Sequence, residues 1–122
     1  MKEPDAAAIS AFLTEQYALW NDGKRAELIA LFRKLAPHEF TIEYVGTPMQ
    51  DGWKAMDEIW DQHGGRVTIE VVQILVNGNE AAVHALNHHV KGAGGRTTRP
   101  SIEIYRFSAG TLQVRYFYPT AG

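Results

Sequence analysis

Glu103 is the residue around which chemistry can be built. It lies in Ser101–Phe107 (Ser-Ile-Glu-Ile-Tyr-Arg-Phe), opened by Pro100 and closed by Ser108-Ala109-Gly110, which reads as a strand between turn signals. Side chains alternate across a strand, so Glu103, Tyr105 and Phe107 share one face and Ile102, Ile104 and Arg106 the other. If the first face is the inner one, Glu103 sits in an apolar wall. Burial then favours its neutral form, and a protonated carboxyl can donate a hydrogen bond to a substrate oxygen. If it is the outer one, Glu103 is solvated and its aromatic neighbours cover a subunit contact. Alternation alone leaves both arrangements open.

The second source of chemistry is histidine. Over Ala81–Lys91, alternation groups Val83, Ala85, Asn87 and His89 on one face and His84, Leu86, His88 and Val90 on the other. His84 and His88 are about 13 Å apart along a strand, too far to share an ion, and His88 and His89 point to opposite faces. No metal is expected. A cavity-facing His89 can shuttle protons near neutral pH, while a core His89 would simply bond a neighbouring acceptor. There is no Ser-His-Asp arrangement with a nucleophile elbow, no phosphate loop and no dinucleotide fingerprint.

The chain that must position these groups has 122 residues, enough for one domain spanning 1–122. Hydrophobic residues at 45% and charged ones at 21% are ordinary for a globular protein. A net charge of -2 offers no basic field for nucleic acid or an acidic membrane surface. Cysteine is absent, which removes disulfides and thiolate chemistry. No apolar run follows the N-terminus and none is long enough to span a bilayer, so a cytoplasmic location is expected.

Ile9, Phe12, Leu13, Tyr17 and Trp20 recur at helical spacing, predicting a helix over Asp5–Asn21 with Asn21-Asp22-Gly23 as its stop. Leu28, Leu31, Phe32 and Leu35 predict a second over Lys24–Leu35, ended by Pro37. A short strand over Phe40–Val45, a loop over Gly46–Gly52 and a third helix over Trp53–Gln62 follow. Strands are then expected over Val67–Val76, Ala81–Lys91, Ser101–Phe107 and Leu112–Tyr118. The turns between them are Asn77-Gly78-Asn79, Gly92–Gly95 and Ser108–Gly110, of which Asn-Gly is a hairpin signal. Helices first and hairpin-linked strands afterwards argue an α+β fold, with helices on one face of an antiparallel sheet.

The order of these elements and several local strings resemble the nuclear transport factor 2-like superfamily, near its SnoaL-like and ketosteroid isomerase-like branches. The strings are Trp20-Asn21-Asp22-Gly23, Ala30-Leu31-Phe32, Thr41-Ile42-Glu43 leading to Val45-Gly46, Gly52-x-x-Ala55-Met56, and Glu103-x-Tyr105-Arg106-Phe107. The resemblance runs from about Ile9 to Pro119. It implies a cone-shaped fold, in which the N-terminal helices pack on the concave face of a curved, mainly antiparallel sheet, and dimerisation through the outer sheet face. Ketosteroid isomerases pair a carboxylate base with an oxyanion hole of a tyrosine and a protonated aspartic acid. By resemblance Glu103 takes the place of that acid, and Glu43 or Tyr44 that of the base. Counting forward from Ile42 points Tyr44 inward, and counting back from Val45 points Glu43 inward. Gln16 aligns with the oxyanion tyrosine and Tyr17 stands beside it; Trp60 replaces a supporting tyrosine. Asn87 and His89 match cavity positions. The SnoaL-like branch carries an acid before a proline near its end, where this chain has Tyr118 before Pro119. These departures argue against steroid isomerisation and against a direct transfer of polyketide-cyclase chemistry.

The expectation is a small-molecule-binding protein doing cofactor-free acid–base chemistry (isomerisation, dehydration or hydration) on an apolar or cyclic substrate. Its catalytic residues would be Glu103, Glu43 and His89, with Gln16, Tyr17, Tyr44, Trp60, Asn87, Tyr105 and Tyr116 contacting the ligand. Trp53, Trp60, Tyr116 and Tyr118 either line the pocket mouth or pack, and Arg96 and Arg99 are solvated or meet an anionic ligand group. The competing expectation is a non-catalytic ligand-binding or dimerisation module of the same fold.

Overall fold

The computed structural model describes residues 2–91 and 94–120. Apolar stripes shape its first two helices. Helix α1 (Ala6–Asn21) is capped by Asp5, whose side chain accepts from the Ala8 amide, and it buries Ile9, Phe12, Leu13, Gln16 and Tyr17. Gly23, at a φ of 72°, turns the chain into α2 (Arg25–Leu35), which buries Leu28 and Phe32. After strand β1 (Glu39–Tyr44) the expected loop contains a two-residue strand, β2 (Gln50–Asp51), paired antiparallel to β1. Asp51 then caps helix α3 (Gly52–His63) by accepting from the Lys54 amide.

The remaining strands are β3 (Val67–Asn77), β4 (Glu80–Lys91), β5 (Gly95–Ser108) and β6 (Thr111–Phe117). The sheet order is β2-β1-β6-β5-β4-β3. Its pairs are antiparallel except β1 with β6, which run parallel. The sheet is curved and not closed, and the helices pack on its inner face. An irregularity between Val71 and Gln73 adds one residue to β3 and bends that edge. Strand β5 starts earlier than expected, at Gly95, and Pro100 lies inside it rather than opening it. The β5–β6 ladder begins only at Ile102, so one edge of β5 is open at Pro100 and a missing N–H is tolerated there. The turn expected over Gly92–Gly95 falls partly on Gly92 and Ala93, which lie outside the described residues.

Helices and sheet meet in an aromatic core. Phe12 stands edge-on to Phe32 (4.9 Å between centroids), Phe107 (5.7 Å) and Tyr105 (6.5 Å). Each such fully buried side chain contributes roughly 1.5–3 kcal/mol of transfer free energy. The end of α1 is tied to the sheet by hydrogen bonds. The Asn21 amide group donates to Ile69 O and accepts from Ile69 N, both at 2.8 Å, while the Trp20 indole donates to Val67 O at 2.9 Å. The Trp-Asn pair thus fixes where α1 lies against β3, and with it where Gln16 and Tyr17 point.

Close packing sets a test at Gly52. A Cβ there would come within 2.5 Å of the Phe40 ring, which is itself held edge-on by Trp53 at 4.9 Å and at a tilt by Phe32 at 5.2 Å. Alanine gains at most about 1 kcal/mol of helix propensity, whereas overpacking costs about 1–3 kcal/mol. Gly52→Ala is therefore expected to lower the urea midpoint. An unchanged or higher midpoint would mean that the Phe40 ring yields freely.

Candidate active site

Alternation along β5 aims Ser101, Glu103 and Tyr105 at the helices. Glu103 sits opposite Val83 on β4 and Tyr116 on β6, and it is 3% exposed. Tyr17 Oη donates to Glu103 Oε1 at 2.6 Å, Tyr105 Oη lies 2.9 Å from the same oxygen, and Ser101 Oγ donates to Oε2 at 3.0 Å. The two tyrosine hydroxyls are 2.9 Å apart. Gln16 Nε2 donates to Tyr105 Oη at 2.7 Å, and Asn87 Nδ2 donates to Ser101 Oγ at 3.0 Å. Among the described residues, no buried side-chain nitrogen or oxygen lacks a partner.

Two effects compete at the carboxyl. Burial raises the Glu103 pKa, and the hydroxyls of Tyr17, Tyr105 and Ser101 lower it by donating to the carboxylate. Burial wins, so Glu103 stands above an ordinary glutamate. Burial and the nearby carboxyl push Tyr17 well up, and Tyr105 is raised by burial, Tyr17 and Glu103. With both phenols pushed up as well, Glu103 is the group of this network that gives up its proton most readily. Its two states need different hydrogen placements. The carboxylate accepts from both tyrosines. A protonated Oε1 donates instead, for example to Tyr17, which then turns its own proton elsewhere.

The free direction for that proton is a cavity of about 350 Å³, at the small end of ligand-sized sites. Tyr17, Gln16, Asn87 and Glu103 contribute its polar floor, while Leu28, Phe32, Ile42, Met56 and Val67 contribute apolar wall. Tyr44, Tyr116 and Tyr118 line one side as three nearly parallel rings, with centroids 5.5, 6.3 and 6.5 Å apart. Burial raises the pKa of all three, that of Tyr118 to about 12. His63, His89, Arg99 and Glu58 line the cavity as well.

Three expected site residues lie elsewhere. Phe40 and Ile42 are buried in the core, so alternation along β1 turns Tyr44 inward and Glu43 outward. Glu43 faces Arg115 across the parallel β1–β6 pair and accepts from Nε at 3.2 Å and Nη2 at 3.3 Å, so it is not a base in the cavity. Trp60 packs edge-on against Trp20 at 4.7 Å and does not line the cavity; Trp53 packs on Phe40, beneath the Arg33 guanidinium. Tyr105 lies behind the cavity wall and reaches it only through Tyr17 and Glu103. His89 makes no bond to Glu103; its ring stands edge-on to His63 at 5.8 Å.

Sequence reasoning passed over Ser101 and His63 as site residues, and it placed Arg99 in a loop, solvated or meeting an anionic ligand group, rather than on the strand that carries Glu103. Ser101 and Arg99 lie on the Glu103 face; alternation within the expected strand already reaches Ser101, and carrying it back through Pro100 reaches Arg99. His63 continues the Met56–Ile59 stripe of α3 by one helical turn. No group of three or more metal-ligating side chains occurs among the described residues. Nor, among them, is any helix long and apolar enough to cross a membrane.

The raised pKa sets the pH dependence of stability. The folded state holds the Glu103 proton more tightly than the unfolded chain, whose glutamate titrates near 4.5. This contribution is complete below pH 4.5 and is lost as pH rises through the folded pKa. Urea unfolding from pH 5 to 9 should show wild type losing stability relative to Glu103→Gln. Parallel pH profiles would place Glu103 at or below the ordinary value.

No protein-family model matches the sequence, and no curated protein does. Solved structures do match. The epoxide hydrolase/cyclase-like enzyme SalBIII, which acts in pyran ring formation in the polyether salinomycin, is 18% identical, with 91% of this chain and 90% of that one covered and a TM-score of 0.73. A putative SnoaL-like polyketide cyclase from Jannaschia sp. is 17% identical over 88% and 85%, with a TM-score of 0.65. An NTF2-like protein of unknown function from Cytophaga hutchinsonii is 10% identical over 89% and 97%, with a TM-score of 0.67. The chain therefore has the nuclear transport factor 2-like fold, in the form shared by SnoaL-like and ketosteroid isomerase-like proteins.

Proposed function

We propose that the protein is a cofactor-independent acid–base enzyme, an isomerase, dehydratase or hydratase, acting on an apolar, ring-sized molecule held in the cone. The observation that carries this reading is the buried Glu103 carboxyl hydrogen-bonded to Tyr17, both at the cavity floor. Glu103 passes its proton to the Tyr17 oxygen while Tyr17 passes its own to the substrate, with no heavy atom displaced. The carboxylate left behind accepts from Ser101, Tyr105 and a reprotonated Tyr17, and it recovers a proton from the substrate or from water. Asn87 orients Ser101, and His89 offers a second polar group in the cavity. Enzymes described as epoxide hydrolase/cyclase-like and as a polyketide cyclase share the fold, which supports ring chemistry in such a cavity.

A second reading, a non-catalytic ligand-binding module, is favoured by one observation. Every polar group of the network already has a protein partner, so none waits for a substrate. Variants separate the two. A positioned general acid contributes about 10²–10⁴-fold, so Glu103→Gln should lose that much turnover and keep ligand affinity, with Tyr17→Phe losing most of it as well. Ligand binding without turnover in wild type would favour the module.

The partner we propose is a second copy of the chain, paired through the outer sheet face. Leu75, Val90 and Ile102 lie on that face with 61%, 65% and 42% exposure, beside Leu86 and Ile104. An apolar sheet face of this kind is costly to leave in water. His88 is the polar anchor there, bonding Glu70 at 2.9 Å and Thr98 at 2.8 Å. Light scattering at micromolar concentration and neutral pH should report a dimer that Leu75→Glu dissociates; a wild-type monomer would refute it.

A further inference from the structure

The polar groups lining the cavity divide into two sets. Those at the floor are committed to one another through Glu103. A group of donors from three different elements is not. His63 at the end of α3 and His89 on β4 face each other edge-on, and neither ring nitrogen has a hydrogen-bond partner among the described residues. Arg99 on β5 shares the inner face with His89, since Asn87 pairs with Arg99 and His89 with Thr97 in adjacent inward positions. Its guanidinium donates to Pro119 O at 3.1 Å and lies 5.4 Å from the Tyr118 ring. No carboxylate among the described residues pairs with it, and the rest of its donor fork is unspent.

We propose that the ligand is an apolar carboxylic acid, whose carboxylate is held at the cavity mouth by Arg99 with His63 and His89 while its body reaches in toward Glu103. This rests on the cavity being the ligand site, and it adds the ligand's charge and orientation. The reverse orientation is unfavourable, because a carboxylate at the floor would meet a buried acid in apolar surroundings. A monoanion suits the charges at hand. Among the described residues Arg99 is the one permanent cation lining the cavity, and Arg66 follows α3 close to His63. Glu58 also lines the cavity, beside Tyr44, while Arg99 acts on Tyr118. Its negative charge weighs against phosphate dianions more than against a single carboxylate.

Matched probes test this: phenylacetate, naphthylacetate and anthracenylacetate against the corresponding arylacetamides, by calorimetry at pH 7.5. A charge-assisted contact at a partly exposed site should make the best acid about tenfold tighter than its amide. Arg99→Gln should bring the acid down to the amide's affinity and leave the amide unchanged, Arg99→Lys should keep part of the difference, and Glu58→Gln should strengthen the acid. Equal binding of acid and amide, or a preference that survives Arg99→Gln, overturns the carboxylate assignment and leaves the acid–base reading standing. No binding of either series overturns both the assignment and the cavity as an aromatic-sized ligand site.

Discussion

A glutamate side chain at 3% exposure can be kept only if its oxygens are answered, and here the answers come from distant parts of the chain. Ser101 and Tyr105 flank Glu103 on its own strand, but Tyr17 arrives from α1, 86 residues away. Removing one donor leaves a buried polar group unsatisfied, at a cost of about 1–3 kcal/mol. The network therefore constrains the register of β5 and the placement of α1 together. Asn21 and Trp20 hold the same helix to β3 from its other end, so the position of Tyr17 is set at two points.

That rigidity suits proton transfer. A network whose heavy atoms stay in place while hydrogens are redistributed has little to reorganise when a proton moves. Its members differ in role. Tyr17 and Glu103 face the cavity, whereas Tyr105, Gln16 and Asn87 hold donors and acceptors in line behind or beside them. The fold is shared with an epoxide hydrolase/cyclase-like enzyme and a putative polyketide cyclase at 18% and 17% identity, and a shared fold by itself specifies no catalytic set.

Much of the architecture was legible because the chain states its periods plainly. The helical stripes of α1 and α2, the Asn-Gly turn and the alternation around Glu103 each led to the observed element. The errors trace to places where a local signal was overridden or balanced. Pro100 punctuates a sequence, but an open sheet edge absorbs it, and that extension of β5 is what brings Arg99 to the Glu103 face. At Glu43 and Tyr44 two counts disagreed by one residue. Burial of Phe40 and Ile42 decided for Tyr44, and no one-dimensional pattern weighs that burial against Val45, which proves exposed. Trp60 could not be placed from its helix alone, since Trp20 from another helix claims its ring. Asn87 reaches Glu103 only through Ser101, a relay that needs the β4–β5 register to see.

An open sheet has two free borders, and each is a template on which another chain can add a strand. In this protein both are blunted. On one side the border is β2, only two residues long and followed at once by helix α3. On the other it is β3, where Asn21 occupies both backbone groups of Ile69 and Trp20 takes the Val67 carbonyl. Farther along, the extra residue between Val71 and Gln73 breaks the regular spacing of donors and acceptors. Growth by strand addition, the route to fibres, thus finds no long regular border, although Val72 and Leu75 are exposed beside the break. What stays exposed is the outer face, with Leu75, Val90 and Ile102, and covering that face would leave the cone intact.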